Sequence, residues 1–138
     1  MRLLLADTSA WHHADNAAVA DDWDRHLIEG SIATCAQVRL EILFSARSLP
    51  DYEDLAAELQ ALHQLPCGSG EFERALDVQH ALAKHGGLHH RSAKIPDLLI
   101  AASAEAGDAV LWHYDEDFDR IVEITGQRAE WIAPQGSL

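Results

Sequence analysis

Residues 110–121 read Val-Leu-Trp-His-Tyr-Asp-Glu-Asp-Phe-Asp-Arg-Ile, and no other stretch constrains the fold as strongly. Val110 to Tyr114 is bulky and β-prone, which suits a buried strand. From Phe118 the apolar positions fall at Phe118, Ile121, Val122 and Thr125, the spacing of one helical face. A buried strand that feeds straight into a helix is the unit from which α/β layers are built. Asp115 stands at the junction, where an N-cap oxygen is wanted. A cap needs one acid. Here Asp115, Glu116, Asp117 and Asp119 crowd a single helix start, so the question becomes which other acids reach it.

The rest of the chain repeats the same alternation. Arg2 to Ala6 is a short continuous apolar run, fit for a strand buried on both faces, and it ends at Asp7-Thr8-Ser9. A helix can start there through Ala10, Trp11 and His12. Asp15 and Asn16 offer caps for a second helix carrying Val19, Trp23 and Leu27, with Gly30 as its stop. Ser31 to Cys35 reads as a strand. Ala36 to Arg47 reads as a helix whose Val38, Leu40, Ile42, Leu43 and Phe44 are mostly destined for burial. Pro50 and Asp51 open another, with Tyr52, Leu55, Leu59 and Leu62. Gln64 to Gly68 is ambiguous, because Pro66 restricts it to an edge strand or a loop. Glu71 to His85 is helical, with Phe72, Leu76, Gln79 and Leu82 roughly in line. Gly86-Gly87 breaks it, and a polar basic loop runs from Leu88 to Lys94. Ile95-Pro96-Asp97 starts a helix that is apolar nearly all round, which makes it central. Gly107 ends that helix, and Ala129 to Ile132 makes a last strand.

This pattern predicts an α/β fold: a three-layer α/β/α sandwich with a mainly parallel central sheet and helices on both faces, organised as a single domain over residues 1–138. Sites in such sheets lie outside the carboxyl ends of the strands. Asp7 and Asp115 each stand at such an end.

Composition narrows the function. A formal net charge of -13 keeps the chain soluble and argues against a broadly basic nucleic-acid or membrane surface. It leaves room for a local basic patch or a bound cation to carry a nucleic-acid contact. Cys35 and Cys67 lack CxxC or Cys/His finger spacing, so neither a disulfide framework nor structural zinc is expected. Reduced thiols and a cytoplasmic location follow. The run Leu3-Leu4-Leu5-Ala6 is too short for a secretory leader or a membrane span.

Two further acids stand out. Glu41 lies within Leu40-Glu41-Ile42-Leu43-Phe44, where an unpaired buried carboxylate is costly. Asp97 follows Pro96 at the start of the buried helix, where capping and the helix dipole offer a purely structural role. Taken together, Asp7, Glu41, Asp97, Asp115 and Asp117 each stand where sheet and helix meet. If they converge, mutual repulsion raises their pKa values, and a divalent cation relieves it. An all-oxygen site favours Mg²⁺ or Mn²⁺ over zinc.

The chain resembles the PIN-domain nucleases, and within them the VapC toxins of bacterial type II toxin–antitoxin pairs. The resemblance is carried by Leu5-Ala6-Asp7-Thr8-Ser9-Ala10-Trp11, Val38-Arg39-Leu40-Glu41-Ile42-Leu43, Ile95-Pro96-Asp97-Leu98-Leu99-Ile100-Ala101 and His113-Tyr114-Asp115-Glu116-Asp117-Phe118-Asp119-Arg120-Ile121. Singly these motifs are weak; in this order and spacing they are specific. The resemblance implies a Mg²⁺- or Mn²⁺-dependent ribonuclease acting on structured RNA such as transfer or ribosomal RNA. It also implies a homodimer and a VapB-like antitoxin that blocks the acidic pocket. It assigns Asp7, Glu41, Asp97 and Asp115 as catalytic acids, with Asp7, Asp97, Asp115 and Asp117 as metal ligands. Thr8 and Ser9 are open between helix capping and holding a ligand or water. His113 stands where many PIN domains have Ser or Thr, though histidine occurs there among VapC-like sequences.

With so many acids at the site, RNA has to be held by cations elsewhere. Lys84, His85, His89, His90, Arg91 and Lys94 precede Asp97 and form the candidate patch, with Arg91 and Lys94 as the substrate-binding residues. Arg39 either pairs with an acid or touches phosphate. Glu116 and Asp119 read as helix-start charges. Trp11, Trp23 and Trp112 read as core or interface. A non-catalytic scaffold of the same fold is the main rival, and the intact acid set argues against it. A receiver domain wants paired acids after its first strand, and a haloacid-dehalogenase-like phosphatase wants a second Asp shortly after the first; the chain has neither.

Overall fold

The computed structural model describes residues 2–138. Its sheet contains β1 (Leu4–Ala6), β2 (Ile32–Thr34), β3 (His63–Gln64), β4 (Val110–His113) and β5 (Ala129–Trp131), in the order β3-β2-β1-β4-β5. Every neighbouring pair is parallel. The helices are α1 (Thr8–His13), α2 (Ala20–Glu29), α3 (Ala36–Phe44), α4 (Leu49–Gln60), α5 (Ser69–Lys84), α6 (Ile95–Ala106) and α7 (Asp117–Thr125). Among the described residues, no helix is long and apolar enough to cross a membrane.

Strand alternation sorts the core into two layers. Leu5 and Leu111 point to one face and pack with Val38, Leu82, Leu98, Ile100, Phe118 and Ile121 from α3, α5, α6 and α7. Leu4, Ala6, Val110 and Trp112 point to the other face, toward Ala10, Val19 and Trp23. There Trp23 stacks on Trp112 with ring centroids 5.4 Å apart, and Trp11 meets Trp23 edge-on at 4.8 Å. The tryptophans are therefore packing residues. Gly30 closes α2 in the left-handed region (φ 73°), which a side chain would resist, and its N–H returns to the carbonyls of His26 and Leu27.

Chain direction along the sheet places the site. From β1 the chain moves outward to β2 and β3, then returns to set β4 on the other side of β1. The order reverses between β1 and β4, which opens a crevice at their carboxyl ends. Asp7 leaves β1 there and Asp115 follows β4. The helix α6 is buried from Asp97 through Ala104 and runs beneath that crevice in the α3–α5–α7 layer.

Several sequence expectations change. The expected helix 36–47 ends at Phe44, and its apolar residues are not all core: Leu40 is 65% and Phe44 92% exposed. Val38 and Ile42, four apart, carry that helix's burial. In α5 the buried face is Ala75, Val78 and Leu82, while Phe72 and Leu76 face outward. The expected basic loop contains a 3-10 turn at His89–Ser92. Of the ambiguous segment 64–68 only Gln64 is strand, the end of the edge strand β3, and residues 65–68, with Pro66, form the loop after it.

Candidate active site

Asp7 is formed by the end of β1 and the start of α1. Its own N–H donates to the Trp112 carbonyl at 3.1 Å, which ties it to β4. Its carboxylate caps α1 by accepting the Ala10 N–H at 2.9 Å. The Ser9 hydroxyl lies 2.7 and 2.8 Å from the two carboxylate oxygens, and Ser9 Oγ in turn accepts the Tyr114 N–H at 2.9 Å. Ser9 thus locks the first strand's acid to the end of β4. Burial pushes Asp7 up to about 6, with the nearby Asp115 charge adding to it; the Ser9 and Ala10 hydrogen bonds pull the other way.

Asp97 lies in the first turn of α6, behind Ile95 and Pro96. Pro96 suits that turn because the N–H it lacks has no helical partner there. Asp97 is buried, yet its Oδ2 accepts no hydrogen bond. Burial raises it to about 7, helped by the charges of Asp115, Asp7 and Asp117 and opposed by Lys94. A position at a helix N-terminus lowers a carboxylate's pKa, so crowding and burial dominate here.

Asp115 and Asp117 occupy the turn into α7. The N-cap position falls on Glu116, which makes no side-chain capping bond, rather than on Asp115 as the sequence suggested. Asp115 still serves the turn, because its Oδ1 accepts the Asp117 N–H at 2.9 Å. Its own N–H donates to His113 Nδ1 at 3.2 Å. Burial lowers His113 to about 4, so the ring stays neutral and Nδ1 keeps its lone pair for that bond. His113 therefore shapes the acid turn from below.

One oxygen from each of Asp97, Asp115 and Asp117 lies within 4.8 Å of the others. Asp7 stands beside this group, close enough for its charge to raise Asp97. Glu41 does not join it. Glu41 lines an open groove of about 550 Å³ with Thr8, His12, Leu40, Phe44 and Ser45, and its Oε1 is buried without a partner. Thr8 connects that groove to Asp7, its chain neighbour.

Two cations serve the acids. Lys94 Nζ lies 2.9 Å from Asp117 Oδ2, 3.0 Å from Asp115 Oδ2 and 3.7 Å from Asp97 Oδ2. The hydrogen bonds to Asp117 and Asp115 hold its ammonium above the usual lysine range. Arg120 Nη1 lies 3.2 Å from Asp117 Oδ1, and Arg120 Nη2 is 3.7 Å from Glu116. The sequence reading did not anticipate Lys94's place among the acids, nor Arg120. The available signals were spacings: Lys94 stands three residues before Asp97, and Arg120 three after Asp117. Asp119 takes the Trp131 indole N–H at 3.2 Å, a structural bond. Arg91 is exposed on the 3-10 turn and forms no ion pair among the described residues.

The donor set of the acid cluster is all oxygen, and Asp97 Oδ2 is buried with a free lone pair. A hard divalent cation such as Mg²⁺ or Mn²⁺ fits such a set, and zinc fits it poorly.

The model of the PIN domain matches residues 4–124. This chain belongs to the PIN-domain family. PIN-domain relatives extend over nearly its whole length. It is 54% identical over 132 residues to Ribonuclease VapC18 of Mycobacterium tuberculosis, covering 96% of both chains. It is 39% identical over 134 residues to Ribonuclease VapC21 of the same organism, again covering 96% of both. Among solved structures, the DNA-bound VapBC of Salmonella typhimurium matches with a TM-score of 0.75 at 18% identity, over 96% of this chain and 100% of that one. VapBC2 of Rickettsia felis, bound to a promoter DNA fragment, matches with a TM-score of 0.71 at 19% identity, over 94% and 98%. These structures share the three-layer fold with its parallel sheet.

Proposed function

We propose that this PIN domain is the toxin of a VapBC-like type II toxin–antitoxin pair, an endoribonuclease that hydrolyses RNA phosphodiester bonds with a carboxylate-held Mg²⁺ or Mn²⁺. The observation that carries the reading is the convergence of Asp97, Asp115 and Asp117 around a buried Asp97 oxygen that accepts no hydrogen bond. The ribonuclease names of the relatives support the activity.

Asp97, Asp115, Asp117 and Asp7 are the residues that would hold the ion. When bound, it supplies Lewis acidity for in-line displacement at phosphorus. Asp115, with its N–H fixed by His113, and Glu41, at the neighbouring groove, orient or deprotonate the attacking water. Cleavage leaves a 5′-phosphate and a 3′-hydroxyl. Arg91, exposed on the turn before α6, and Lys94 contact the RNA backbone. Transfer or ribosomal RNA is the substrate class. The VapBC neighbours support a VapB-like antitoxin as partner, and the exposed apolar faces of α3 and α5 leave room for it and for a homodimer contact. The unpaired thiols of Cys35 and Cys67 suit the reducing cytoplasm.

The test is incubation of purified protein with total RNA, in Mg²⁺ or in EDTA, beside Asp7→Ala and Asp97→Asn. Metal-dependent cleavage lost in both variants supports the reading. Cleavage that persists in EDTA, or in both variants at full rate, overturns it.

A further inference from the structure

The metal-nuclease reading leaves Lys94 with a role of its own. We propose that Lys94 is a tethered cation that fills the carboxylate cluster in the metal-free protein, and that a divalent ion loads by displacing it. The inference rests on that reading and adds a residue to it.

The geometry is the ground for it. The oxygens that Lys94 Nζ approaches belong to Asp97, Asp115 and Asp117, the three acids that gather within 4.8 Å of one another. An ammonium is a compact point charge with three donors, and this one is turned to three carboxylates. An ion bound to the same acids would sit a few ångströms from a charge of its own sign, a repulsion that a partly buried site screens weakly. Lys94 and the ion therefore exclude each other. Among the described residues no other cation pairs with Asp115, and Arg120 reaches Asp117 only from the far oxygen, Oδ1. Without Lys94 the metal-free site would hold adjacent acids with little compensation.

The backbone of Lys94 is built to anchor a side chain that moves. Its carbonyl accepts the N–H groups of Asp97 and Leu98 at 3.1 and 3.2 Å, so it is the first carbonyl of α6. The side chain, by contrast, is 63% exposed. Its flexible four-carbon stem lets it leave toward solvent once its hydrogen bonds to Asp115 and Asp117 break. Once out it stays at the mouth of the site, where the phosphates of a bound RNA replace its carboxylate partners. The same ammonium thus faces acid in one state and phosphate in the other.

The experiment compares wild type, Lys94→Met and Lys94→Arg by calorimetric titration with Mn²⁺ and by thermal melting in EDTA and in Mn²⁺. Lys94→Met keeps the stem and removes the charge. It should bind Mn²⁺ about tenfold more tightly than wild type, within the usual range for coupled sites. It should also melt lower in EDTA and gain more from Mn²⁺. Lys94→Arg should return affinity toward wild type. Should Lys94→Met be unfolded in EDTA, folding recovered along a Mn²⁺ series supports the exchange, and a chain unfolded at every Mn²⁺ concentration overturns it. Unchanged or weaker Mn²⁺ binding by Lys94→Met overturns the inference and leaves the metal-nuclease reading standing. No Mn²⁺ binding by wild type or variants overturns both.

Discussion

Two buried carboxylates face the crevice between β1 and β4, and the protein treats them differently. Asp7, on the β1 side, is 2% exposed and fully served: Ala10 caps with it and Ser9 bonds to it. Asp97, on the α6 side, is 7% exposed, and its Oδ2 accepts nothing. Burial is similar, but Asp7 is pushed to about 6 and Asp97 to about 7, the latter with three acidic neighbours contributing. Asp7 is a carboxylate that the fold completes. Asp97 is one that the fold leaves incomplete, open to the cation proposed above.

The largest effect that tests this difference is on activity. Asp97→Asn should lower RNA cleavage by about 10²–10³-fold, the scale of losing one preorganised charge contact. The same variant should make the metal-free protein more stable at pH 8, by about 1–2 kcal/mol, because it removes a repelled charge. Thermal melting in EDTA reads this directly. A lower melting temperature would mean that Asp97 is satisfied after all, and the contrast with Asp7 would break.

Next in size is the bond network on the Asp7 side. Ser9→Ala removes the acceptor for Tyr114 N–H and the hydroxyl donor to Asp7. It should destabilise the protein by about 1–3 kcal/mol in chemical denaturation, since the half-buried Tyr114 N–H loses its acceptor and buried Asp7 loses one of its donors. A change near zero would place Asp7 in the same class as Asp97.

The pH dependence sharpens the contrast further. A raised carboxyl pKa means that the folded state keeps a proton that the unfolded chain has lost. Stability in EDTA should therefore fall as pH rises from about 4 to about 7, Asp7 contributing up to about 6 and Asp97 up to about 7. His113 acts in the opposite sense. Its folded pKa of about 4 lies below the unfolded 6.5, so its contribution to stability is lost as pH falls through that interval. Above 6.5 the Asp97 slope outweighs the fading contributions of Asp7 and His113. Melting curves in EDTA between pH 6.5 and 7.5 should show a decline that Asp97→Asn abolishes and Asp7→Asn leaves in place.

The smallest effect concerns Asp117. Arg120→Gln removes its pairing at Oδ1, a partly exposed bridge that should be worth less than about 1 kcal/mol in melting experiments. A larger loss would group Asp117 with the served acid, Asp7, instead of with the cation-seeking pair.

The fold was largely legible because its strongest signals are periodic. The runs at 2–6 and 110–114 are bulky and continuous, and both became buried parallel strands. The all-apolar stretch after Pro96 became the buried helix α6. What the periodicity could not give is which apolar residues stay outside. Leu40 and Phe44 have the composition of core residues, but α3 turns only Val38 and Ile42 inward. The acids of the site were legible as strand-end and helix-start residues. Their grouping was not, because it depends on distances between remote segments. Asp97, Asp115 and Asp117 meet within 4.8 Å, while Glu41 lines the adjacent groove beside Thr8. The place of Lys94 was hidden for a related reason. A lysine in a basic stretch looks like a phosphate contact, and only three dimensions put Lys94 among carboxylates.

The tie between β1 and β4 has a consequence in time. Ser9 Oγ and the Tyr114 N–H are 105 residues apart in the chain, and the Asp7 N–H reaches across to Trp112. A ribosome makes the first acid early and must add most of the remaining chain before β4 exists to receive it. Such long-range parallel pairing forms late in folding. A nascent chain therefore carries Asp7 without its companions, and the acids come together only after β4 and the turn behind it have been made. The molecule cannot assemble its acid cluster before β4 and the turn after it have been translated, so the topology delays the completed site until that point.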